Sequence, residues 1–91
     1  GKVIRLAFPE LNEERRKEIV KDIRKMAEDA KVAIRSIRRD AMDEAKAMQK
    51  NSEMTEDELK SAEDQIQKLT DKFVGGIDEM LERKEHEVMS L

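Results

Sequence analysis

The stretch NSEMTEDE, residues 51–58, decides the fold, because there the sequence tells one long helix to stop and another to begin. Asn51, Ser52 and Glu53 read as a turn, and Thr55 with Glu58 three residues later spells a capping box. In that motif the threonine hydroxyl and the glutamate carboxylate each satisfy a backbone N–H that the first helical turn leaves without a partner. Upstream, Asn12 is a suitable helix cap, with Glu13 and Glu14 in the first turn where the positive end of the helix dipole favours them. From there to about Lys50 nothing breaks helix, and downstream only Gly75 and Gly76 interrupt a run that continues to about Ser90. At 1.5 Å per residue each helix is on the order of 55 Å long. Helices of that length joined by about four residues must lie antiparallel, as an αα-hairpin.

The organisation expected is therefore a short leading segment, residues 1–11, and a helical hairpin over residues 12–91, with helices at about 13–50 and 55–90 and a turn at about 51–54. The leading GKVIRLAFPEL alternates Val3, Ile4, Leu6 and Phe8 before Pro9, and reads as an extended segment left over from a strand of something else. The glycine pair coincides with a phase change. Leu59, Ala62, Ile66, Leu69 and Phe73 step by three and four, and then Ile77, Leu81 and Val88 follow a shifted track. Two glycines there are expected to mark either a local adjustment of coiling where a neighbouring backbone comes close, or a hinge.

Composition narrows the class. A chain of 91 residues is one domain at most, and at this size folding buries only about 60–65% of the unfolded surface, so its own core is thin. Charged residues are 45% of the chain and aromatics 2%, which suits long helices or coiled coils and argues against sheets and barrels. The absence of cysteine excludes disulfides, thiolate nucleophiles and Cys-based zinc sites. No apolar run approaches a membrane span and no signal sequence is evident, so the chain reads as soluble and cytoplasmic, with no membrane partner. The net charge of −3 hides an asymmetry: residues 12–50 carry 12 basic and 9 acidic side chains, residues 55–91 carry 5 basic and 11 acidic. The two halves face different surroundings.

On a helical wheel residues 13–50 divide into three sectors. An apolar one holds Ile19, Ile23, Met26, Ala30, Ala33, Ile34, Ile37, Ala41 and Met48, with Val20 and Ala27 at its margin. It is wider than a two-stranded seam, so the sequence asks for a second partner beyond the other helix of the hairpin. A basic sector gathers Lys17, Lys21, Arg24, Lys31, Arg35, Arg38, Arg39 and Lys46 on a stripe clear of the core, and an acidic one gathers Glu14, Glu18, Asp22, Asp29, Asp40 and Asp43. A merely solvated helix alternates its signs to gain pairs of about 0.2–0.5 kcal/mol each. Here like charges sit side by side, Lys31 with Arg35 and Arg35 with Arg38 and Arg39, so something else must compensate, and an anionic partner along the stripe would do so. Arginine at those three positions suits bidentate phosphate contacts and stacking on bases. The competing reading is a solvated face, with Arg39 paired to Asp43 and the stems of Arg35 and Arg38 covering the core edge.

No catalytic constellation accompanies this stripe. His86 is the lone histidine, near a helix C-terminus among glutamates, and reads as an exposed cation favoured by the dipole. There is no Gly-rich phosphate loop and no nucleophile–base set, so no enzyme activity, cofactor or metal is expected. The methionines are read as gap fillers in or beside the seam.

The motifs PELNEERRK, VAIRSIRRDA and QKLTD, in that order, together with nearly continuous similarity from Ile4 to Leu91, resemble the C-terminal half of the ribosome recycling factor family. The resemblance implies an all-α fold that is part of a long three-helix bundle, here lacking the first helix and nearly all of an inserted β domain. It also implies a role after translation termination, in which the family splits the ribosome together with elongation factor G. The family's arginine-bearing helix contacts ribosomal RNA of the large subunit, and its motif positions carry over to Arg35, Arg38 and Arg39, with Arg24 on a basic family position and Lys31 where arginine can occur. Asn12 stands where threonine is usual, and Met42 where asparagine is common. Because the hairpin alone leaves an apolar stripe uncovered, self-association into a four-helix arrangement is expected, and recycling by this chain alone is not. The alternative reading, from a different class, is a structural coiled-coil or adaptor segment that binds protein helices through the apolar face.

Overall fold

A computed structural model describes residues 12–90, which form α1 (Glu13–Lys50) and α2 (Glu56–Ser90). The helices run antiparallel as an extended hairpin, and among the described residues there is no strand. No described helix is long and apolar enough to cross a membrane. The segment 1–11, read as an extended remnant of a strand, lies outside the described residues.

Each helix end is satisfied by local chemistry. Asn12 is extended (φ −70°, ψ 174°), and its side-chain oxygen accepts the Arg15 N–H at 2.9 Å. At the start of α2 the capping box is reciprocal: Thr55 Oγ1 accepts the Glu58 N–H at 3.1 Å, and Glu58 Oε1 accepts the Thr55 N–H at 2.9 Å. Between them α1 ends in a Schellman turn. The Glu53 N–H reaches the Met48 carbonyl at 2.8 Å and the Ser52 N–H reaches the Gln49 carbonyl at 3.0 Å. That geometry requires a left-handed residue after the cap, and Ser52 supplies it at φ 61° where glycine is usual.

The seam between the helices is formed by small side chains. Val20, Ala27 and Ala45 of α1 and Thr70 of α2 are buried, the Thr70 hydroxyl donating to the Ile66 carbonyl at 2.8 Å. This places the interface on the edge of the apolar sector of α1, where it meets the basic sector, rather than on its centre. Much of that centre is open: Met26 is 68% and Ile37 67% exposed, and on α2 Phe73 is 57% exposed. The result is an apolar groove along one side of the hairpin. Near the turn Ile34, Ile37 and Ala41 face Ile66, Leu69 and Phe73, and toward the far end Ile23 and Met26 face Ile77 and Met80. The width of the apolar sector, which asked for a further partner, is thus expressed as uncovered surface.

The glycine pair differs from expectation. A Cβ built on Gly75 or Gly76 meets nothing within 4 Å, neither has positive φ, and α2 runs through both as helix. No close approach of α1 explains them.

Candidate nucleic-acid interface

The five cations singled out in the sequence all lie on α1, and the structure divides them by what they touch. Arg24, Lys31 and Arg38 follow one another at intervals of seven, a step that brings side chains round to nearly the same face of a 3.6-residue helix. That face borders α2, which carries its own column at the same interval, Asp71, Asp78 and Glu85. Because the helices are antiparallel, seven forward on one matches seven back on the other.

The side-chain pairs follow that register. Arg24 Nε donates to Glu85 Oε1 at 2.7 Å, with Nη2 of the same guanidinium at 2.5 Å from that oxygen. Lys31 Nζ donates to Asp78 Oδ1 at 2.8 Å and lies 3.6 Å from Glu28 Oε2. Arg38 stands in register with Asp71 but reaches it through an amide: Nη1 lies 3.4 Å from Gln67 Oε1, and Gln67 Nε2 donates to Asp71 Oδ1 at 2.9 Å. Lys31 is the most enclosed of these, its side chain 18% exposed. The hydrogen bond and charge of Asp78 hold its ammonium above the ordinary lysine pKa, with partial desolvation opposing.

This alters the reading of the stripe as clear of the core. Three of its cations border the seam, Arg38 half-buried and Lys31 nearly enclosed, and part of the anionic compensation that the sign-segregated helix demanded is supplied by α2 itself. Arg35 and Arg39 are placed differently. Arg35 is half-buried and Arg39 exposed, and among the described residues neither has an ion-pair or side-chain hydrogen-bond partner, so the Arg39–Asp43 pair of the competing solvated-face reading does not form. Lys21 and Lys46, in the same basic sector, are exposed as well. Reading the sequence one helix at a time misses the acidic column. Its signal is the repeat of Asp71, Asp78 and Glu85 at the same seven-residue step as the cations they oppose.

The comparisons with known proteins agree with the motifs. The family described as "Ribosome recycling factor" matches residues 1–89. Among curated proteins named ribosome-recycling factor, that of Caldicellulosiruptor saccharolyticus is 64% identical over 91 residues, all of this chain and 50% of the relative. Those of Acetivibrio thermocellus and Bacillus pumilus are 62% and 56% identical, again over the whole chain and over 50% and 49% of the relative. The chain spans about half the length of the curated relatives it matches. With a match of this extent over two antiparallel helices whose motifs stand in order, the chain belongs to the ribosome recycling factor family.

Proposed function

We propose that this hairpin serves ribosome recycling after translation termination, as a non-enzymatic cytoplasmic factor that binds large-subunit ribosomal RNA through the basic face of α1. The observation that carries the reading is the pair Arg35 and Arg39, arginines without a counter-ion among the described residues, in a family whose relatives are named for recycling ribosomes. Arg24, Lys31 and Arg38 complete the face but begin from bonds to α2. Joint action with elongation factor G belongs to the longer protein, and this chain, spanning half of its relatives, does not recycle ribosomes by itself. Replacing Arg35 and Arg39 together by alanine should weaken binding to isolated large subunits. It should also flatten the dependence of log K on log salt by somewhat under one unit for each phosphate no longer neutralised. Binding and slope both unchanged would overturn the proposal.

A second reading is supported by the apolar groove: a structural segment that docks helices. For this chain a second copy is an occupant that would cover the exposed Met26, Ile37, Leu69 and Phe73 with the same apolar surface. Sedimentation at micromolar concentration should then give a dimer that Phe73→Glu dissociates, and a compact monomer for the unsubstituted chain would refute self-association.

A further inference from the structure

The ladder between the helices does more than join them. Arg24 and Lys31 are each held by a carboxylate of α2 in the geometry that the same cations use on phosphate oxygens, at 2.7 and 2.8 Å. Two columns with the same seven-residue step in antiparallel register are a repeated device, since a chance surface pair has no reason to recur two helical turns along. Lys31, with its side chain 18% exposed, gives its shortest hydrogen bond to Asp78, and Arg24 turns two guanidinium nitrogens toward Glu85. Arg35 and Arg39 stand without a counter-ion among the described residues, only four and one positions beyond Lys31 and Arg38.

We propose that Asp78 and Glu85 act as internal stand-ins for phosphate, so that Arg24 and Lys31 join a bound RNA in full by exchanging these carboxylates for phosphates of the ligand. The proposal rests on the reading that the basic face binds RNA, and adds a selectivity element to it. A polyanion that merely approaches the helix meets Arg35, Arg39 and the exposed lysines of the same sector, Lys21 and Lys46. An RNA whose phosphates are held in place beside α2 can also displace the two carboxylates. The acidic column therefore lowers affinity for unrelated polyanions more than for a cognate surface. It acts through the cations it holds, and Asp78 and Glu85 are positioning residues that do not themselves touch RNA.

The test compares variants of the 91-residue chain on a short duplex RNA of unrelated sequence, with affinity measured over a range of salt. Asp78→Asn with Glu85→Gln frees two cations while preserving shape and hydrogen-bonding atoms. It should tighten binding on the order of tenfold near physiological salt and steepen the salt slope by about one to two units, since each additional phosphate neutralised adds about 0.7–0.9. Asp78→Asn and Glu85→Gln made singly should each give about half that change in slope, and circular dichroism of each should show unaltered helix, so the outcome does not hang on one variant's folding. Glu79→Gln with Glu82→Gln changes net charge equally at exposed positions that oppose no cation of the ladder. If that control tightens binding as much, net charge alone is responsible and the stand-in role is refuted. If neither single nor double ladder variants change affinity or slope, it is refuted likewise. Arg35→Ala with Arg39→Ala separates the two claims: loss of binding there with silent ladder variants overturns this inference alone, whereas retention of binding overturns the RNA-binding reading beneath it.

Discussion

Replacing Gly75 and Gly76 by alanine should stabilise the hairpin, and the size of the gain follows from the space around them. Both lie inside α2 with negative φ, and a Cβ on either meets nothing within 4 Å, so alanine adds no clash and no backbone strain. What remains is the intrinsic cost of glycine in a helix, about 0.8–1.0 kcal/mol relative to alanine, mostly from the extra freedom the unfolded chain must give up. The two substitutions should be nearly additive at about 1.5–2 kcal/mol. For a chain of this size each kcal/mol raises the melting temperature by about 4–8 °C. Thermal and urea unfolding followed by circular dichroism, at a protein concentration low enough to exclude self-association, would measure this. A loss of stability at either position refutes the reasoning, because it would mean that something occupies the space the structure shows as open. A gain at Gly75 with a loss at Gly76, the more exposed of the two, would locate that neighbour on the outer side of α2.

Three further outcomes follow from local chemistry. Asn12→Ala removes the acceptor that satisfies the Arg15 N–H and should cost about 1 kcal/mol, seen as a lower urea midpoint and faster amide exchange in the first turn of α1. Ser52→Gly should stabilise by roughly 0.5–1 kcal/mol, because Ser52 holds φ 61° in the Schellman turn, a conformation glycine adopts freely, and an unchanged or lower urea midpoint would contradict this. The third concerns pH. Asp78 raises the Lys31 pKa, so the folded hairpin binds that proton more tightly than the unfolded chain; the stabilisation is complete at neutral pH, below the unfolded lysine value, and is lost as pH rises through the folded one. An NMR titration of the Lys31 side chain should show its midpoint fall in Asp78→Asn, and an unmoved midpoint would mean the pair is not kept in solution.

The hairpin is legible because its signals are local. Asn12 and the Thr55/Glu58 pair act within one turn, and the long runs without breakers leave few alternatives to helix. The side of α1 that meets α2 is not legible from α1 alone. The wheel ranks faces by hydrophobicity, and by that measure the centre of the apolar sector should be buried first; the partner instead sits on its margin, over Val20, Ala27 and Ala45. Two terms settle this together: small side chains there let the helices approach, and the neighbouring cations find the carboxylates of α2. Arginine identity tells which chemistry the stripe can do but not which of its members are already engaged, since that depends on the register between two helices separated by a turn. Ser52 escapes for a simpler reason, because serine carries no signal for left-handed backbone.

Sign segregation on a helix is therefore ambiguous until its antiparallel neighbour is laid beside it. A basic face demands an anion, but in a hairpin the nearest candidate is a column of carboxylates repeating at the same seven-residue interval, and it must be subtracted before an external ligand is inferred. Here the subtraction accounts for Arg24 and Lys31 directly and for Arg38 through Gln67. It cannot reach Arg39, which lies about 100° round the helix from Arg38, or Arg35, about 60° from it, because the approach to α2 is already filled by the ladder and the small residues beside it. Both arginines fall on the opposite side of the seam from the groove lined by Ile37 and Phe73. A polyanion on Arg35 and Arg39 and an apolar helix in the groove would then meet only at Arg38, which lines the groove and completes the basic face. Substitutions at Ile37 or Phe73 should leave the salt slope of RNA binding unchanged, and substitutions at Arg35 or Arg39 should leave the sedimentation behaviour unchanged. Cross-effects in either direction would show that the two faces are coupled through the seam.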